Sequence, residues 1–242
     1  MRLLFVADLH YSLKQFDWLL ANAANYDVAV IGGDLLDLAS ALDPDVQITI
    51  VEKYLDLLRQ RSRLVVSSGN HDGDSRNEAD ESIAEWIQGA RDEGLHVDGD
   101  SFNIGDVRIT VCPWWDGELT RDELAAMLER EATQVPEGGR WIWIHHAPPE
   151  GSKTSWTGRK FVGDEFLRAW IDRFQPEMVL SGHIHNSPFH EEGSWIDRIG
   201  QTWVFNPGRM LGPEPASITI DLDEMTAEWI SAYERSFRDL KA

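Results

Sequence analysis

The chain has 242 residues, 42% of them hydrophobic and 26% charged, which fits one globular domain over residues 1–242 and excludes wholesale disorder. A formal net charge of −20 disfavours nonspecific binding to nucleic-acid phosphates, which requires a basic surface, so any anionic ligand needs a local positive field. The single cysteine, Cys112, rules out an intrachain disulfide and a cysteine-rich zinc module, and the first apolar run is too short for a signal core or a bilayer span. No membrane association and a cytoplasmic location are therefore expected.

Residues 3–7 form an apolar run of strand length that delivers Asp8 and His10, two residues apart and on one side if the chain stays extended. A helix is predicted over 13–24, with Phe16, Leu19, Leu20 and Ala23 on one face. A second buried strand, 27–31, runs into Gly32-Gly33-Asp34, so this βαβ unit has a carboxylate at the exit of both strands. Pro44 opens the next helix, and strand 64–67 then leads into Ser68-Gly69-Asn70-His71-Asp72. A helix is predicted over 78–93, ending at Gly94. Beyond it, Gly99-Asp100 and Gly105-Asp106 punctuate short strands such as 107–111, a hairpin spacing. Cys112 closes that run as a buried structural residue. Thr120 and Glu123 have capping-box spacing for a further helix. Strand 141–144 leads into His145-His146-Ala147-Pro148-Pro149, and a loop rich in Gly, Ser, Thr and Lys covers 151–163. A helix over 166–174 and a strand over 178–181 precede Gly182-His183-Ile184-His185. Segments 203–206, 217–221 and 227–230 read as antiparallel strands.

Asp8, His10, Asp34, Asn70, a histidine of the 145/146 pair, His183 and His185 thus all follow strand-like runs, and ligands of open α/β folds bind at strand exits. Each block alone is an ordinary turn or cap. Five in succession point to one site. Carboxylates, an amide oxygen and imidazoles, with no thiolate, suit manganese, iron, zinc, nickel or cobalt rather than calcium, and the size of the set suits two divalent ions. Two such ions polarise a phosphoryl oxygen and lower the pKa of a water for in-line attack, which is phosphate-ester hydrolysis. They also leave the site locally positive within an acidic chain.

The five blocks, from residue 3 to residue 185, resemble the calcineurin-like metallophosphoesterase superfamily, and Asn206-Pro207-Gly208 resembles a turn seen in many members. The resemblance implies an α/β fold, a four-layer αββα sandwich of two mixed sheets flanked by helices. It implies that Asp8, His10 and His185 hold one ion, that Asn70, His183 and a histidine before the prolines hold the other, and that Asp34 bridges both. His71 would protonate the leaving oxygen or stabilise the transition state, oriented by Asp72. The family's His-x-Pro spacing favours His146 over His145, which strand alternation leaves open. Asp37 would brace its loop, with a solvated surface carboxylate the other reading.

The substrate expected is a small phosphate ester, a nucleotide among the candidates, with a lean toward diesters. A phosphomonoesterase or protein phosphatase is the alternative within the fold, and a non-catalytic metal-binding scaffold the alternative of another class. Arg159, Lys160 and Arg209 are read as solvated surface and Trp114 and Trp115 as packing or lid residues, with contacts to substrate the other reading of each. Segments 113–117 and 151–163 are the loops that select among substrates.

Overall fold

The computed structural model describes residues 1–241. In chain order the strands and helices are β1 (Arg2–Val6), α1 (Leu13–Asn22), β2 (Val28–Gly32), α2 (Pro44–Leu58), β3 (Arg63–Ser67), β4 (Ser75–Arg76), β5 (Ser82–Ile83), α3 (Glu85–Gly89), β6 (Leu95–His96), β7 (Ser101–Ile104) and β8 (Val107–Val111). They continue with α4 (Glu118–Ala132), β9 (Arg140–Ile144), α5 (Glu165–Phe174), β10 (Met178–Leu180), β11 (Ile196–Ile199), β12 (Thr202–Phe205), β13 (Ser217–Asp221), β14 (Thr226–Ile230) and β15 (Arg235–Asp239). None of the described helices is long and apolar enough to cross a membrane.

Two mixed sheets carry the molecule. The first runs β15-β14-β13-β1-β2-β3-β6 and the second β11-β12-β10-β9-β8-β7. Strand alternation explains the layering, because successive side chains of one strand face opposite ways. Leu3 and Phe5 of β1 meet Ile109 of β8, Ile142 and Ile144 of β9 and Leu180 of β10 in a core between the sheets. Leu4 and Val6 instead face Phe16, Leu19, Val51 and Leu55 of α1 and α2, while Trp141, Trp143 and Val179 face Leu124, Leu128 and Leu167 of α4 and α5. The order of layers is helix, sheet, sheet, helix, the expected αββα sandwich.

Within each sheet the central strands run parallel: β1, β2 and β3 in one, and β8, β9, β10 and β12 in the other. Parallel neighbours release their chains at one edge, so the loops after β1, β2, β3, β9 and β10 are brought together. The strands expected to be antiparallel at the end of the chain divide between the sheets. β12 pairs parallel with β10, whereas in the first sheet β13 pairs antiparallel with β1 and β14 antiparallel with β13.

The helix expected over 78–93 is a short hairpin, β4 with β5, followed by the five-residue α3. Tertiary hydrogen bonds outcompete local helix propensity here. The Glu81 carboxylate accepts from the backbone N–H groups of Leu119 and Thr120 and from the Thr120 hydroxyl, and Asp116 accepts from Ser82 N. The same contacts move the start of α4 to Glu118, so Thr120 lies inside the first turn and its hydroxyl accepts from Gly117 N. Cys112 is buried, as expected.

Trp229 of β14 is 1% exposed and donates from Nε1 to the carbonyl of Pro207, tying the last strands to the Asn206-Pro207-Gly208 turn. Trp229→Ala is expected to destabilise the chain by about 3–5 kcal/mol, the usual cost of emptying a buried aromatic site, measured by chemical denaturation.

Candidate metal centre

The chain turns abruptly where each strand ends. Asp8, His10, Asp34 and His183 all have left-handed backbone, with φ of 56°, 42°, 53° and 64°. Such conformations cost of order 1–3 kcal/mol in a residue with a Cβ and persist where the surroundings over-determine them. Here the surroundings are backbone hydrogen bonds across the loops, from Asp8 N to Gly33 O at 3.1 Å, His10 N to Asp34 O at 2.9 Å and Gly182 N to His146 O at 2.8 Å. Asp8 and His10 therefore converge through a turn rather than through the extended spacing expected for them. The approach is close enough to demand glycine. A Cβ at Gly182 would lie 2.7 Å from Asp8 Oδ2, and one at Gly69 would overlap Asp34 Oδ1.

These turns bring the expected residues to one place. Asp8, His10, Asp34 and His185 can each offer a ligand atom within 4.8 Å of the others, and so can Asp34, His146 and His183. Asp34 belongs to both groups. His185 Nε2 lies 3.2 Å from Asp8 Oδ1, His10 Nε2 3.6 Å from Asp34 Oδ2, and His146 Nε2 3.2 Å from Asp34 Oδ2. Asn70 Oδ1 is 2.8 Å from His183 Nδ1, which adds the amide to the second group. Asp8, His10, Asp34 and His146 form a buried floor, whereas Asn70 is exposed and His71, His183 and His185 are half-buried at the mouth. A third group, His10, Asp37 and His71, adjoins the first.

His145 points elsewhere. Its Nε2 lies 3.5 Å from Asp164, so of the two adjacent histidines only His146 enters the cluster. The orientation of His71 by Asp72 is not what the structure has. Asp72 is fully buried and its two oxygens accept from the backbone N–H groups of Leu35, Leu36 and Gly69 at 2.8–2.9 Å, with no hydrogen bond to His71 among the described residues. Asp72 thus clamps the loop after β2 to the loop after β3. His71 is held instead by its own N–H on Asp34 Oδ1 at 2.9 Å and by Leu38 N donating to its Nδ1 at 3.4 Å.

Electrostatics favour a cation on this floor. Burial drives the Asp8 and Asp34 carboxyls up, but the surrounding imidazoles, His146 foremost for Asp34, bring both below the usual carboxylate range. Burial disfavours a proton on His146, and the charges of Asp34 and Asp8 override it and raise its pKa to about 10. Burial and the His146 charge push His183 down to about 4, and burial lowers His71. The bonding of His146 supplies the test of fit. Its Nδ1 faces the Gly32 carbonyl at 2.7 Å and so carries the ring proton, while its buried Nε2 has no hydrogen-bond partner and faces carboxylate oxygen. A lone pair aimed at a carboxylate is repulsive unless a proton or a metal ion lies between, and a carbonyl on the other nitrogen is the usual way of orienting a ligating imidazole. The residues present fit divalent metal.

Two supporting residues, Asp98 and Asp164, had no sign in the sequence, and a third, Asn206, was marked only as part of its turn. Asp98 accepts from Ser68 N at 2.9 Å, and Ser68 Oγ in turn accepts from Trp114 N at 2.9 Å. Asp164 caps α5 through Phe166 N and Leu167 N and accepts from Trp115 Nε1 at 2.8 Å. Asn206 is fully buried and donates to the carbonyls of Thr154, Gly182 and Ile184, stapling the loop after β9 to the His183–His185 turn. Only Asn206 had a signal in the sequence, its Pro-Gly neighbours.

A family model for the calcineurin-like phosphoesterases matches residues 1–187. No curated protein matches the chain. Among solved structures, the protein TT1561 of Thermus thermophilus superposes with a TM-score of 0.61 at 12% identity, covering 99% of this chain and 98% of that one. The purple acid phosphatase PPD1 from yellow lupin seeds superposes with a TM-score of 0.58 at 12% identity, covering 100% of this chain and 52% of that one. GAP50, the anchor in the inner membrane complex of Plasmodium, superposes at 0.58 with 8% identity, covering 99% and 88%. At these identities the likeness is one of fold.

Two outcomes are expected from the supporting carboxylates. Asp72→Ala strands three buried amides, so it should lose about 2–3 kcal/mol of stability in denaturant titration, with His71→Ala losing much less. Burial pushes Asp98 up to about 6, and its second oxygen is buried without a partner. Because its folded pKa lies above the unfolded value of 3.8, ionisation destabilises the fold as pH rises between them. Asp98→Asn should therefore match the parent near pH 4 and exceed it by about 2–3 kcal/mol above pH 6, a difference read from unfolding curves across that range.

Proposed function

Because the chain belongs to the calcineurin-like phosphoesterase family, we propose that it is a phosphoesterase dependent on two divalent metal ions, acting on a small phosphate ester and preferring diesters. The observation that carries the reading is the unpartnered Nε2 of His146 facing Asp34 at 3.2 Å, with Nδ1 committed to the Gly32 carbonyl. In this reading Asp8, His10 and His185 hold one ion, Asn70, His146 and His183 hold the other, and Asp34 serves both. Their oxygen and nitrogen donors suit manganese, iron, zinc, nickel or cobalt. Such ions, when bound, neutralise phosphate charge and make water a stronger acid.

The chain's own groups supply the rest. His71 sits at the mouth with Nδ1 accepting from Leu38 N, so the proton of its neutral ring is on Nε2, which lies 4.0 Å from Asp34 and faces the cluster. From there it is positioned to donate that proton to the departing oxygen. Asp72 serves His71 indirectly, by holding the loop. The lean toward diesters rests on the open mouth, where exposed Asn70 and half-buried His71, His183 and His185 leave room for a second ester group beside the phosphate.

Metal-stripped protein reloaded with manganese should bind two ions per chain by elemental analysis and hydrolyse bis-p-nitrophenyl phosphate faster than p-nitrophenyl phosphate. Asp34→Asn should lose both metal and turnover. Faster monoester cleavage would overturn the diester preference, and no metal-dependent cleavage of either ester would overturn the hydrolase reading. His71→Ala should keep its metal yet lose about 10²–10⁴-fold in rate on an ester with a poor leaving group, and much less on the p-nitrophenyl ester, which needs no proton to depart.

A further inference from the structure

Beside the metal cluster lies a cavity of about 420 Å³ that none of the roles above uses. We propose that it is the subsite for the organic part of the ester, and that it takes an aromatic alcohol that is neutral or positively charged and rejects an anionic one. Its place next to the reacting phosphate rests on the phosphoesterase reading. Its ligand preference does not.

Location comes first. His183 belongs both to the cavity wall and to the cluster with Asp34 and His146, so a group filling the cavity abuts whatever the cluster binds. The volume falls within the range of small-molecule sites and holds one or two rings. The walls are aromatic and already fixed. Trp114 stands 5.5 Å from the His183 ring and 5.8 Å from that of His146, and its backbone is anchored on Ser68. Trp115 is tied by its indole N–H to Asp164 and meets Phe166 edge-on at 5.7 Å. Rigid indoles offer a planar guest a large contact area at small entropic cost. The indole N–H of Trp114 has no partner among the described residues and remains free to donate.

Charge sets the selection. Asp116, Glu150 and Glu165 line the cavity, and among the described residues no lysine or arginine does. Asp116 already accepts from Ser82 N, whereas the carboxylates of Glu150 and Glu165 have no hydrogen bond or ion pair to any described residue. Carboxylates beside indole faces attract a cation through both the charges and the ring quadrupoles, and they repel a carboxylate or a second phosphate. A nucleobase-bearing or aryl alcohol without further negative charge meets these conditions. A polyphosphate or an acidic phosphopeptide does not.

The test uses the full chain without added metal and reads binding rather than turnover. Tyramine, tyrosol and 4-hydroxyphenylacetate share a phenol ring and differ in charge. Each is titrated while the indole N–H resonances of the labelled protein are followed, with Trp114→Phe and Trp115→Phe serving to assign those two signals. Tyramine and tyrosol should shift both signals saturably, 4-hydroxyphenylacetate should bind about tenfold more weakly or worse, and buried Trp143 should not respond. Glu150→Gln combined with Glu165→Gln should narrow the gap between tyramine and 4-hydroxyphenylacetate. Equal shifts with all three probes would overturn the charge selection, and shifts confined to other tryptophans would overturn the subsite. A chain that binds tyramine but hydrolyses no ester refutes the proposed reaction and leaves the subsite standing, while turnover of a diester without these shifts does the reverse.

Discussion

Two carboxylates, Asp8 and Asp34, each 1% exposed, are held side by side at the bottom of a cleft, and among the described residues no lysine or arginine pairs with either. Buried carboxylates without positive charge are among the most expensive features a fold can carry. The cost is met by imidazoles. His10, His146 and His185 face them at 3.2–3.9 Å, and His146 in particular holds its proton far more tightly than a free histidine. This concentrated demand for positive charge is what a pair of divalent ions would meet, with His146 giving up its proton in exchange.

Holding that charge in place requires strained backbone, and the strain is supported from several directions. The left-handed turns at Asp8, His10, Asp34 and His183 let side chains double back over the strand ends. Asp72 locks the loops after β2 and β3 through three amides, Asn206 locks the turn after β10 through two carbonyls and the loop after β9 through a third, and Asp98 reaches Trp114 through Ser68. Each is a buried polar group bonded to at least one other loop, and the Asp98–Ser68–Trp114 chain joins the two sheets, so the cleft has its shape only when both sheets have formed and packed. Sites whose supporting groups are satisfied in this way hold their geometry without help from ligand.

The chain's −20 charge and the nature of the cleft belong to the same picture. An acidic surface repels polyanions in general, so attraction for phosphate must be confined to the cluster itself. The adjoining cavity, with aromatic walls and uncompensated Glu150 and Glu165 at its edge, extends that discrimination to the organic part of a ligand.

The five strand-exit motifs and the buried strands were legible in the sequence, because apolar runs of strand length and Gly-Asp, Gly-Asn-His-Asp and Gly-His-x-His blocks are local patterns, and the αββα layering came from the family resemblance that those blocks carry. Asp8, His10, Asp34, Asn70, His183 and His185 were named from those patterns, and they do converge. What the sequence could not decide are matters that depend on which distant group arrives. Strand alternation left His145 and His146 open, with only the family's His-x-Pro spacing favouring His146, and His146 joins the cluster because the turn after β9 aims one ring at Gly32 and the other at Asp164. Asp72 faces amides rather than His71 because the loop after β2 lies closer. Segment 78–93 reads as helix locally, yet Glu81 is drawn to the first turn of α4 and unwinds it. Local propensity is worth a few tenths of a kcal/mol per residue, and a buried or charged hydrogen bond to a distant element outweighs it.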